Sequence, residues 1–454
     1  MLLRVPFISR SPARWLALAL LLTWSGTVSA QQWPKEGTDE LNQQGRKYKE
    51  LIGKLRRGEA QPAENAEAVD VAAKLATYPF TWLRNQTEPG LIERMQTELD
   101  KDLLEAEKHK ATSQAFLQAF AKQVAIHGGE VLQDGLVKPI GRLNVARALA
   151  RVARTTGQEE LADPLTDAIT NPSSNDGVRY WAMRGLGELF AAIARRTPPA
   201  PMSAAREQKA VQALADFVSR KVTFAPDAPH EEIEGYRLLR REGVKALAQT
   251  RTPALADGKT RPALVLLKVM GRDESIRPEP RTDERVEAAI GLARMRPDQA
   301  KGYLPDYAGY QIGLFLSGDF AEVYSVRRAN EVERQRPWKI YAARQWEALQ
   351  GMKATTKDAY VGRMVDLAAR FLAEMEAGTG KDADPRPLSD WLATNQPASK
   401  TLFKDVPDSV VKPADKEPAA TEKATEEKDV EAKDTPPKKD AKDTKDKKKD
   451  GKDK

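Results

Sequence analysis

The sequence predicts an all-α protein: an irregular α-solenoid of helical hairpins, closed by a C-terminal helical cap and followed by a disordered tail. Three observations carry this. Hydrophobic residues make up 41% of the 454 residues and aromatics only 6%, so the core must be mostly Ala and Leu, as in packed helices. Between Gly141 and Arg195 two helix patterns of the same kind are separated by a loop. In the second of them Val178, Ala182, Gly185, Leu186, Leu189 and Ile193 recur at three- and four-residue steps, on one helix face, with Asn175 or Asp176 able to cap its start. The small residues on that face let another helix approach closely.

Taken in order, residues 1–30 read as a secretory signal. A basic segment ends at Arg14, an apolar run spans Trp15 to Trp24, and Val28-Ser29-Ala30 offers a small-x-small cleavage site. The run is short for a bilayer span, which takes about 20 residues. Residues 31–111 form an N-terminal helical segment, with helices expected around Asp39–Arg57, Ala66–Thr77 and Leu91–His109 and a turn at Pro89-Gly90. Asn85-Gln86-Thr87 matches a glycosylation acceptor by chance composition.

Residues 112–296 carry four hairpins. Ser113–Ile126, expected to end at Gly128-Gly129, precedes the helix from Gly141; Glu159–Ile169 precedes Asp176–Arg195; Ser203–Val222 precedes Ile233–Ala248; Arg261–Met270 precedes Asp283–Ala293. Each second helix opens in an arginine beside small and apolar residues. Asp176, Val178, Arg179, Ala182, Leu186 and Gly187, and again Asp283, Arg285, Ala288, Ala289 and Leu292, resemble the second helix of HEAT repeats. The steps between Arg142, Arg179, Arg237 and Arg285 are 37, 58 and 48 residues, irregular against such repeats. The resemblance implies stacked hairpins, with Arg142, Arg179, Arg237 and Arg285 bonding across to neighbouring repeats through acids such as Asp176 and Asp283, or else lying solvated.

After Pro297 the helices lengthen, and residues 297–395 read as a terminal bundle or the cap that such an array needs at its open end. A helix from Pro305 runs toward Asn330 with a break at Gly318, followed by Trp338–Lys353 and Thr356–Ala377. In the last, Val361, Met364, Val365, Leu367, Ala368 and Phe371 mark an apolar face. Residues 396–454 form the tail. From Lys412 onward it holds 14 Lys, 13 Asp or Glu and no aromatic residue, too little apolar surface to offset the entropy of ordering. It reads as a spacer, or as a weak contact to anionic polymers or membranes.

The formal charge of +7 does not argue for a polyanion partner, because three of those charges, Arg4, Arg10 and Arg14, sit in the leader and the tail is nearly balanced. No DNA is expected. Absent cysteine removes disulfides and thiolate chemistry, and His109, His127 and His230 are too scattered for a triad or a histidine-rich metal centre. Gly258-Lys259-Thr260 has Pro253 where a phosphate loop needs glycine, and His127-Gly128-Gly129-Glu130 lacks the second histidine of a zinc hydrolase. No cofactor is expected.

What remains is surface. The cluster Tyr324, Arg327, Arg328, Arg334, Arg336, Trp338, Lys339, Tyr341, Arg344 and Trp346 has the composition of an interface hot spot, or else of tryptophans buried against the preceding repeats with arginines reaching out to water, and Tyr180-Trp181 is a second such candidate. The sequence is therefore expected to encode a periplasmic or secreted, non-catalytic binding or scaffold protein, holding another envelope protein or an extended ligand. The alternatives are an α-helical carbohydrate-active or other hydrolase, for which pairs such as Glu231-Glu232 or Glu284 with Glu287 supply carboxylates, and a structural envelope protein tethered by its tail.

Overall fold

The computed structural model describes residues 35–82, 89–196, 201–324, 336–377 and 383–405. The expected leader, the Asn85–Thr87 acceptor, Arg327, Arg328, Arg334, the side chain of Arg336 and the charged tail lie outside the described residues. The body belongs to the first of two units, Met1–Val411.

Among the described residues the architecture is all-helical, and the only sheet-like contact is an isolated antiparallel bridge between Tyr303 and Phe403. The helices are α1 (Lys35–Arg57), α2 (Ala66–Thr77), α3 (Pro89–Lys108), α4 (Lys110–Gln133), α5 (Pro139–Thr156), α6 (Ala162–Thr170), α7 (Asp176–Ala194) and α8 (Ala204–Val218). They continue as α9 (His230–Leu247), α10 (Pro262–Met270), α11 (Thr282–Ala293), α12 (Pro305–Phe315), α13 (Arg336–Thr356), α14 (Ala359–Ala377) and α15 (Arg386–Thr394). None is long and apolar enough to cross a membrane.

Local signals explain where the central helices begin and end. At α7 the Asn175 side chain accepts the Val178 N–H at 2.9 Å, satisfying one of the amides that a helix start leaves free. Pro139 opens α5, and Gly157 closes it in the left-handed region at φ 62°, where glycine is unstrained. The expected stop at Gly128-Gly129 does not occur, and α4 runs on to Gln133. A Cβ on Gly128 would stand 2.8 Å from Leu149 Cδ2, so the glycine is a contact point with α5 rather than a terminator. The break expected at Gly318 is a π-helical turn, Leu316–Phe320, within a helical path that continues to Tyr324.

Packing follows the chain. The helices α5, α7, α9, α11 and α13 contact one another in that order, and so do α2, α4, α6, α8, α10 and α12. Within each expected hairpin the two members also touch: α4 with α5, α6 with α7, α8 with α9, and α10 with α11. Each apolar stripe is thus covered by sequence neighbours. Val145, Leu149, Val152, Leu165, Leu186, Leu189, Leu214, Val244, Leu266 and Leu292 are all fully buried between the two rows, and each contributes about 1.5–3 kcal/mol by leaving water. Beyond them α14 and α15 pack on α12, with α13 against α14. A short strap then returns to the body: Leu304 N–H bonds to Leu402 O at 3.0 Å and Lys404 N–H to Gly302 O at 3.1 Å.

Candidate functional site

Of the cluster expected about α13, the described members are wholly or partly buried. Trp338 is buried, with Phe320 and Tyr341 ring centroids at 5.7 and 5.6 Å. Tyr324 is buried too, its hydroxyl donating to Met375 O at 3.3 Å. Arg344 makes a two-pronged bond to Glu287, both contacts at 2.7 Å. Tyr341 and Trp346 are partly buried against the core. The reason is placement: α13 packs between α11 and α14, which covers its aromatic flank from two sides.

The arginines expected to join repeats divide. Arg179 fastens its own hairpin, donating to Asn171 O at 3.1 Å and Pro172 O at 3.2 Å and lying 3.3 Å from Asp176. Arg237 pairs with Glu234 one turn earlier on α9, at 2.9 Å. Arg142 meets no ion-pair partner among the described residues, and its Nε is buried without a hydrogen bond. Cross-helix bonding falls only in part on the expected residues: Asp283 takes its bond from Arg241 (2.6 Å), and with Arg240 to Glu284 (2.6 Å) and Arg344 to Glu287 this joins α9 to α11 to α13. Arg285 donates to Met270 O at 2.6 Å and to Asp319 at 2.6 Å in the π turn. The sequence does carry a signal for these bonds, adjacent Arg240-Arg241 followed about one repeat later by adjacent Asp283-Glu284, but a pattern of one arginine per repeat does not contain it.

Among the described residues, two surfaces bring charged and apolar groups together. On the first, Trp181 of α7 is half-buried and flanked by guanidiniums: Arg147 of α5 lies 5.3 Å from its ring centroid and Arg184 lies 5.0 Å away, with Tyr180 edge-on at 5.6 Å. No carboxylate among the described residues pairs with either arginine. Around them the charges are balanced, with Arg151 on Asp100 (3.1 Å) and Arg179 on Asp176. The patch is therefore a local positive spot with an apolar plate at its centre.

The second surface is a recess at the C-terminal ends of α7, α9 and α11. One part, about 460 Å³, is walled by Phe190, Ile193 and Met202 and edged by Glu207, Arg251 and Gln299. A second part, about 730 Å³, shares Glu207 and Gln299 and reaches Phe403 and Asp405 of the strap. Arg261 holds that strap, donating to both oxygens of Asp405 and lying 4.8 Å from the Phe403 ring centroid. Burial pushes the Glu207 carboxyl above its ordinary range, against the opposing pull of a single bond from Thr252 Oγ1 at 3.4 Å.

His127, expected as part of a helix end, is instead the centre of a fully bonded cluster. Its Nε2 lies 2.6 Å from Asp70, its Nδ1 lies 2.9 Å from the Tyr78 hydroxyl and 3.3 Å from Glu130, and Lys74 covers the other Asp70 oxygen at 2.7 Å. The cluster ties α2 to α4. Among the described residues no group of three or more His, Asp or Glu is placed to hold a metal. Burial alone would raise the Asp70 carboxyl, but bonds from Lys74 and His127 outweigh it and hold the group below the ordinary carboxylate range. A depressed folded-state pKa gives stability that is present above the unfolded value, near pH 4, and lost as pH falls through the folded value. Urea melts of the chain and of Asp70→Asn should therefore differ most near neutrality and converge in acid; a gap that does not shrink below about pH 4 would refute the linkage.

No known protein family, curated protein or solved structure matches the chain.

Proposed function

We propose that the chain is an exported, non-catalytic binding protein, an irregular α-solenoid of HEAT-like hairpins that holds an acidic segment of another envelope protein against α5 and α7. The observation carrying this reading is Trp181 set between two guanidiniums that have no acid of their own. Arginine and tryptophan dominate interface energetics because each joins a flat apolar area to polar tips, and a carboxylate arriving there desolvates little that was already satisfied. Sequential packing of α5, α7, α9, α11 and α13 supports the solenoid, since each repeat then touches only its neighbours and leaves one long face available. The leader supports export.

The partner is an acidic protein segment rather than a long polyanion. The patch is small, two guanidiniums about one indole, and so matches one or two carboxylates rather than a long run of charge. Capture from envelope extract by the mature chain should return a partner that is lost from the variant Arg147→Ala, Trp181→Ala, Arg184→Ala, with an affinity drop of about 30-fold or more. Unchanged capture by a variant with an unaltered melting curve would overturn the assignment.

A further inference from the structure

The recess beside α8 carries a separate inference, independent of the Arg–Trp patch. Its smaller part presents two opposite charges that do not meet. Glu207, half-buried on α8, has no cation within ion-pair distance among the described residues, and its only polar contact is the Thr252 hydroxyl at 3.4 Å. Arg251, on the connection after α9, has no ion pair either, and its Nε is buried with no hydrogen-bond partner. Arg251 is also one of three non-glycine residues with a left-handed backbone among the described residues, at φ 59°, a conformation that glycine adopts with less strain. Its backbone is pinned there, because its carbonyl accepts the Arg296 N–H at 2.9 Å. Arg294 lies close enough to Arg251 to feel its charge, which deepens the positive potential at that end. Phe190, Ile193 and Met202 line the same recess.

We infer that this recess binds a small zwitterion with an apolar side chain, a free α-amino acid or a short peptide: the ammonium on Glu207, the carboxylate on Arg251, and the side chain against Phe190, Ile193 and Met202. A ligand with one charge leaves the opposite end of the recess unpaired. A buried unpaired group is costlier than the pair is favourable, so the recess selects for both charges together. Gln299 and Thr252 at the rim add donors and acceptors suited to an amide. The volume of about 460 Å³ accommodates one to three small residues. The ammonium of the ligand supplies the counter-charge that Glu207 lacks and opposes the upward push of burial on its carboxyl.

The test is calorimetric titration of the full chain with leucine, leucyl-leucine and trileucine, alongside N-acetyl-leucine and leucine amide, which each keep a single charge. At least one zwitterion should bind in the millimolar range or tighter, and each single-charge analogue should lose about tenfold or more. Whichever length binds best identifies the source, free amino acid or peptide. Glu207→Gln should erase discrimination against N-acetyl-leucine while keeping that against leucine amide, and Arg251→Gln should do the reverse. Absence of binding by all three zwitterions would overturn the inference, and so would analogues that bind as well as the zwitterions. The analogue series needs no variant, so a variant that failed to fold would not shield the inference.

Discussion

Replacing Glu284 by alanine is expected to cost about 3–5 kcal/mol, because it strands a buried charge rather than merely removing a contact. Glu284 and Arg240 are both essentially inaccessible to water, and the guanidinium meets the carboxylate at 2.6 and 3.0 Å while a third bond goes to Pro278 O. Glu284 also accepts the Arg281 N–H at 2.8 Å, closing the first turn of α11. Burial pushes its carboxyl upward, and the Arg240 bonds oppose that. Alanine leaves the guanidinium with no counter-ion. The double substitution Arg240→Met, Glu284→Met removes both charges and fills most of the space. It should recover the greater part of the loss, because a well-packed apolar pair often matches a buried ion pair. The bond from the Arg281 N–H is not recovered. Chemical denaturation of the three proteins measures this; a double variant no better than the single would mean that the pair itself, rather than the orphaned charge, carries the stability.

The second large effect concerns the contact of α5 with α7. A Cβ built on Gly185 would stand 2.9 Å from Leu165 Cδ2 and 3.2 Å from Ala150 Cα. The first neighbour is a flexible tip, but the second is backbone and cannot yield without moving the helix. Gly185→Val should therefore destabilise by about 1–3 kcal/mol through overpacking. Gly235 in α9 is the control, since nothing lies within 4 Å of the place a Cβ would take there. Gly235→Ala should stabilise by up to about 1 kcal/mol, from helix propensity alone. Thermal melts that show both substitutions moving in the same direction would refute the assignment of Gly185 as a close-approach residue.

The contrast shows what the chain reveals by itself. Periodicity marks the faces: Val178, Ala182, Gly185, Leu186 and Leu189 are buried as their spacing demands, and α2 has the bounds Ala66–Thr77 read from its pattern. Local rules fail where a neighbour decides. Gly128 continues a helix because Leu149 fills the space beside it, and Trp338 is covered because α11 and α14 flank α13. Neither fact is local. The recess is harder still to read, since Glu207, Arg251 and Gln299 come from three separate segments and share no motif. His127 is visible in the sequence as a residue but not as a hub, because Tyr78 and Asp70 reach it from 49 and 57 residues away.

The strap from Thr401 to Asp405 has a bearing on how the C-terminal part opens. Its ladder to Gly302 and Leu304, with Arg261 gripping Asp405 from the start of α10, joins the first and last segments of everything between them. The elements α12 to α15 are thereby closed into a ring, so that none can peel away alone while the clasp holds. Fraying, which otherwise starts at the end of a chain, has to break this clasp before it reaches the C-terminal helices.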